Sequence, residues 1–135
     1  MADRRHARGL VDTSVIVDID RIDAHDLPGE IAVSAITMAE LAAGPLAATD
    51  PEERARRQDR LQRVEATCDP IPFDVSAARA YGRIYGSVVA AGSKARGRRA
   101  MDLLIAATAL AADLPLYTRN PSDFAGLADI EVVAV

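Results

Sequence analysis

A chain of 135 residues has the length of one domain, and 16 Lys and Arg against 20 Asp and Glu leave a formal net charge of −4, which argues against coating nucleic acid non-specifically. A single cysteine, Cys68, excludes an internal disulfide and any thiolate-held metal cluster. With 50% hydrophobic but only 4% aromatic residues, an Ala/Val/Leu/Ile core in an α/β or all-α architecture is favoured over an aromatic-rich sandwich.

Residues 9–14, GLVDTS, read as a short apolar strand ending in an acid and two hydroxyls, with a short helix starting near Ser14. Asp12 has two readings: an acid at the carboxyl end of a strand, where open α/β sheets bind their ligands, or a helix N-cap. Asp18, Asp20 and Asp23 read as a solvated face or turn. Leu27-Pro28-Gly29 marks a loop, and residues 31–34 form a second strand. A helix follows over residues 37–44, stopped by Gly44, in which Thr37 and Glu40 fit a capping box. Glu40 therefore has a local structural role open to it.

Asp50-Pro51-Glu52-Glu53 opens the next helix with an N-cap, a proline in the first turn and two acids. Its Arg-rich surface, to about residue 67, reads as a solvated face laced with i,i+4 ion pairs. Asp74 caps a long helix over residues 75–91, closed by Gly92, and residues 93–98 form a basic loop.

The helix over residues 99–110 carries Asp102 on the same face as Ile105, Ala106 and Ala109. Turned inward, that carboxylate loses hydration worth several kcal/mol unless donors or a cation compensate it. The competing reading is a half-exposed acid near the helix start, favoured by the dipole or by Arg98 or Arg99. Residues 116–118 form a strand, 119–124 a polar turn and 130–135 the last strand. This alternation predicts a small parallel α/β sandwich, one domain over residues 1–135.

No apolar run approaches 18 residues and the charged N-terminus has no apolar export core, so a cytoplasmic protein away from membranes is expected. His6 and His25 read as surface histidines, and no P-loop, G-x-G-x-x-G or H-E-x-x-H occurs. Asp12, Glu40, Asp102 and the Asn120/Asp123 turn each follow a strand or open the next helix, and a parallel sheet brings such positions to one edge. Clustered carboxylates repel one another unless a cation joins them. Mg²⁺ or Mn²⁺ fits an all-oxygen set of this kind and supports in-line phosphoryl displacement.

The runs LVDTSVIVDI, SAITMAEL, AMDLLIAATAL and LYTRNPSDF, in this order and spacing, resemble the PIN-domain ribonucleases and, within them, the VapC-type toxins. The resemblance extends over residues 10–135. It implies a PIN-like three-layer α/β/α sandwich with a small parallel sheet, and a homodimer. It also implies a Mg²⁺-dependent endoribonuclease, with Mn²⁺ able to substitute, that cuts cellular RNA and is neutralised by a cognate VapB-type antitoxin. Asp12 and Asp102 match the family's principal metal ligands and Glu40 its second acid. Thr13 or Ser14 matches the hydroxyl beside the first acid.

Many relatives carry Asp where this chain has Asn120, so Asp123 is expected to supply the fourth acid, with Thr118 and Asn120 in support. Lys94, Arg96, Arg98 and Arg99 are expected to contact RNA phosphates at the rim. The faces around residues 41–46 and the Arg-rich helix are expected to frame an antitoxin groove, with an inserted Arg or Lys blocking the acidic pocket. The rival readings are a PIN-fold binding module with vestigial cleavage and an aspartyl-phosphate enzyme. The latter needs a second acid beside Asp12, where Ser14 stands.

Overall fold

The computed structural model describes residues 6–92 and 98–135. Strands β1 (Arg8–Val11), β2 (Glu30–Ala32), β3 (Leu116–Thr118) and β4 (Val132–Ala134) form an all-parallel sheet in the order β2-β1-β3-β4. The two-residue period of a strand sorts their side chains. Leu10 and Leu116 face one side, while Val11 and Tyr117 face the other. Helices α4 (Val75–Ala90) and α5 (Arg98–Ala111) cover the first side, burying Ile84, Val88 and Leu103. Helices α1 (Thr13–Val17), α2 (Ala35–Ala47) and α3 (Pro51–Thr67) cover the second, through Val15, Leu41, Leu61 and Val64. A three-layer α/β/α sandwich results, as expected. Gly9 on β1 leaves room for the Tyr117 ring, whose Cε1 lies 2.5 Å from where a Cβ would stand.

Helix starts follow the local signals at α3 and α4, where Asp50 and Asp74 accept the backbone N–H groups of Glu53 and Ala77 at 3.1 and 3.0 Å. At α2 the expectation fails. Its N-cap is Ser34, whose Oγ accepts Thr37 N–H at 3.0 Å, so Thr37 is in the first turn and forms no capping box with Glu40. The reason is tertiary. Ile71 N–H donates to the Val33 carbonyl and Ala35 N–H to the Ile71 carbonyl, at 2.9 and 2.8 Å, which fixes where extended chain gives way to helix.

Nor does Gly44 stop α2, which runs on through Pro45 to Ala47. Arg57 Nη1 donates to the Gly44 carbonyl at 2.9 Å and Arg54 Nη2 to the Ala48 carbonyl at 3.0 Å, satisfying carbonyls that the helix end leaves open. The Arg-rich helix thus fastens α2 on one side. It also carries ion pairs at the expected i,i+4 spacing, Glu53 with Arg57 and Asp59 with Arg63, and one at i,i+3, Glu53 with Arg56. No helix among the described residues is long and apolar enough to cross a membrane.

Candidate active site

The chain leaves β1 for β2 on one flank and reaches β3 on the other, so the connection reverses direction between β1 and β3. A crevice opens beyond the carboxyl ends of strands at such a switch point. Asp12 directly follows β1, and Thr118 ends β3, followed by Asn120 and Asp123. With Glu40 from α2 and Asp102 from α5, Asp12, Asn120 and Asp123 line one cavity of about 330 Å³.

Asp12 is 4% exposed, and both of its carboxylate oxygens are engaged. Oδ1 accepts Ser14 Oγ at 2.5 Å and Val15 N–H at 3.2 Å, and Oδ2 accepts Thr118 Oγ1 at 2.5 Å. Both readings of this acid hold at once, since it caps α1 and stands at a strand end. Three donors on a buried carboxylate orient it and offset its lost hydration.

Glu40 accepts Thr13 Oγ1 at 2.6 Å. Thr13 and Thr37 hydroxyls lie 3.2 Å apart, and Ser34 and Thr37 hydroxyls 3.3 Å apart. Because the Thr13 proton is committed to Glu40, Thr37 supplies the proton of its own contact with Thr13. A run of hydroxyls from Ser34 through Thr37 and Thr13 therefore ends on the Glu40 carboxylate. The buried Thr37, assigned by local pattern to a helix cap, belongs to this support.

Asp102 is half-buried, and Ile105, Ala106 and Ala109 on its face are buried, so that face turns inward. Asp123 is half-buried on the 3₁₀ turn Pro121–Phe124, and its carbonyl accepts Arg99 Nη1. Asn120 is exposed, with its N–H donating to Thr118 Oγ1 at 3.0 Å. Of the rim cations, Arg99 stands beside Asp102, Asn120 and Asp123. Lys94, Arg96 and the Arg98 side chain lie outside the described residues.

Residues 9–129 match the family model for the PIN domain. The chain belongs to the PIN-domain family. It is similar to ribonuclease VapC5 of Mycobacterium tuberculosis, 35% identical over 135 residues and covering 96% of each chain. It is also 33% identical over 131 residues to ribonuclease VapC4 of the same organism, covering 95% of this chain and 97% of that one. Among solved structures, VapBC-5 of M. tuberculosis, described as a member of the VapBC family of toxin–antitoxin systems, aligns with TM-score 0.83 and 34% identity over 96% of this chain and 99% of that one. FitAcB of Neisseria gonorrhoeae aligns with TM-score 0.67 and 27% identity, over 91% and 94% of the two chains. PIN-domain ribonucleases of this kind are generally metal-dependent.

Among the described residues of this PIN domain, no three Asp, Glu, His or Cys side chains close up into a ready-made cage. An open set of carboxylates and hydroxyls suits a hard ion that keeps several of its waters and takes one or two protein carboxylates. His6, its Nε2 3.1 Å from Glu131 Oε1, and the exposed His25 are not in the cavity lining. Cys68 packs against an apolar cluster.

Two charged lining residues, Asp18 and Arg119, stand outside the site expected from the sequence. Asp18, taken for a solvated acid, caps the end of α1 and faces the cavity with Arg119. The available signal was Ser14 and Asp18 at i,i+4 spacing on α1. Of the two faces expected to frame an antitoxin groove, the one around residues 41–46 buries Leu41 and leaves Leu46 84% exposed. An open groove of about 1020 Å³ runs along the other side of α3, with Arg56, Arg60 and Val64 facing Ile16, Ile19 and Leu27.

Proposed function

We propose that this PIN domain is the toxin of a VapBC-type pair, a Mg²⁺-dependent endoribonuclease that also accepts Mn²⁺ and is neutralised by a VapB-type antitoxin. The observation that carries the proposal is the lining of one switch-point cavity by Asp12, Glu40, Asp102 and Asp123. Asp12 and Asp102 would hold the ion, and Glu40 and Asp123 complete the acidic set. When bound, the ion supplies Lewis-acid stabilisation of phosphoryl charge and lowers the pKa of water.

The chain's own residues hold that set in place. Ser14, Val15 N–H and Thr118 orient Asp12, and Thr13 orients Glu40. Arg99 ties the turn bearing Asp123 to α5. Cleavage leaves a 5′-phosphate and a 3′-hydroxyl. The groove along α3 offers apolar walls to an antitoxin segment, and the acidic cavity suits an inserted Arg or Lys. The toxin is proposed to be a homodimer, supported by Val75, Tyr85 and Val89 exposed on α4.

The test is digestion of total cellular RNA with Mg²⁺, with Mn²⁺ and with chelator, beside Asp102→Asn. Discrete metal-dependent fragments from the wild type and none from a folded Asp102→Asn are expected. Full activity in that variant would remove Asp102 from the site. No cleavage by folded, antitoxin-free wild type would favour a binding module.

A further inference from the structure

Among the described lining residues of the cavity, Arg119 is the one cation, set against Asp12, Asp18, Glu40, Asp102 and Asp123. Its position is tied closely to the first acid. Arg119 N–H donates to Ser14 Oγ at 3.1 Å, and the same hydroxyl donates to Asp12 Oδ1 at 2.5 Å. Its guanidinium is aligned by Asp18, with Nε 3.5 Å from Oδ2, and the two side chains are only 33% and 32% exposed. An ion pair of that length, still open to water, contributes little to stability, so folding does not account for the arginine.

Among the described residues neither terminal nitrogen of the guanidinium makes a hydrogen bond, so both can engage a further anion. A planar fork of this kind matches two phosphate oxygens. Even with one divalent ion bound, the five acids outnumber the positive charge beside them and oppose an RNA backbone, which carries a charge at every nucleotide.

We propose that Arg119 binds an RNA backbone phosphate flanking the one that is cut, with Asp18 holding its guanidinium toward the cavity. The proposal rests on the nuclease reading and deepens it. Arg119 is a substrate-binding residue and Asp18 a positioning residue.

Binding of a short, labelled, mixed-sequence single-stranded RNA is measured by anisotropy across a range of NaCl concentrations. The protein is full-length Asp102→Asn, which prevents turnover, with and without Arg119→Gln or Arg119→Lys. Loss of one phosphate contact to a single strand lowers the slope of log affinity against log salt by about 0.7. Arg119→Gln should show that drop and bind roughly tenfold more weakly at low salt, as expected for a lost hydrogen bond to a charged group. Arg119→Lys should keep the slope. In the nuclease-competent chain, Arg119→Gln should raise KM more than it lowers kcat.

If Arg119→Gln does not fold, wild-type cleavage of RNAs with single methylphosphonate linkages replaces it. Sensitivity at one linkage beside the cut supports the contact, and uniform tolerance overturns it. Wild type that neither cleaves nor binds RNA overturns the nuclease reading and this proposal together. Wild type that cleaves, with slope and KM unchanged in Arg119→Gln, overturns this proposal alone.

Discussion

A Thr118→Val substitution keeps the side-chain volume and removes the hydroxyl that donates to Asp12 Oδ2 at 2.5 Å. Thr118 and Asp12 are 0% and 4% exposed, so water does not replace the missing donor. Losing a hydrogen bond to a charged group costs about 1.5–3 kcal/mol. The Asn120 N–H, which also bonds Thr118 Oγ1 at 3.0 Å, belongs to an exposed residue that turns to solvent and adds little. Thr118→Ser is the control. It loses one buried methyl, about 0.8 kcal/mol, and keeps the hydroxyl.

Urea unfolding should therefore rank wild type above Ser above Val, with unchanged slopes. Mn²⁺ titration by calorimetry should rank wild type and Ser together, with Val weaker by about 10–100-fold, the usual effect of removing a group that orients a metal ligand. A Val variant as stable as Ser, or one binding Mn²⁺ as tightly as wild type, would refute the argument that Thr118 holds Asp12.

Gly9→Ala places a Cβ 2.5 Å from Tyr117 Cε1 and 3.2 Å from Pro28 Cβ, so the buried ring must shift. Thermal unfolding should show a loss of about 1–3 kcal/mol, the range for overpacking. Asp113 sits at φ 55° in the cap that ends α5, with Leu114 N–H on the Ala109 carbonyl and its own N–H on that of Leu110. Asp113→Gly should stabilise by about 1 kcal/mol by relieving left-handed strain, with RNA cleavage unchanged.

Hydrogen bonds from Arg56 and Arg57 hold the Glu53 carboxyl below its usual range. A depressed folded-state value means the contribution is present above the usual glutamate range and lost as pH falls through the lowered value. Unfolding followed from neutral pH downward should thus lose more stability in wild type than in Glu53→Gln. Parallel acid limbs would contradict this.

Much of the fold was legible locally. Asp50 and Asp74 sit before their helices with Pro51 at the right place, and these signals need no distant partner. The strand and helix alternation, with acids at strand ends, was enough to place Asp12, Glu40, Asp102 and Asp123 near one edge, and the four runs in register pointed to the family. Asp12 shows why local alternatives need not compete, since one carboxylate caps α1 and lines the cavity.

Other features were decided only by tertiary structure. Ser34 rather than Thr37 starts α2 because Ile71 bridges Val33 and Ala35, and that releases Glu40 to Thr13. Gly44 fails as a stop because Arg57, thirteen residues on, takes up its carbonyl and Arg54 takes up that of Ala48, six residues before it. The Thr118 bond to Asp12 spans 106 residues and the Arg119 bond to Ser14 spans 105. Helix signals lie within a turn or two of chain, so composition and spacing can carry them. Parallel strands pair across long crossovers, and the order β2-β1-β3-β4 brings the ends of β1 and β3 together where no local pattern records it.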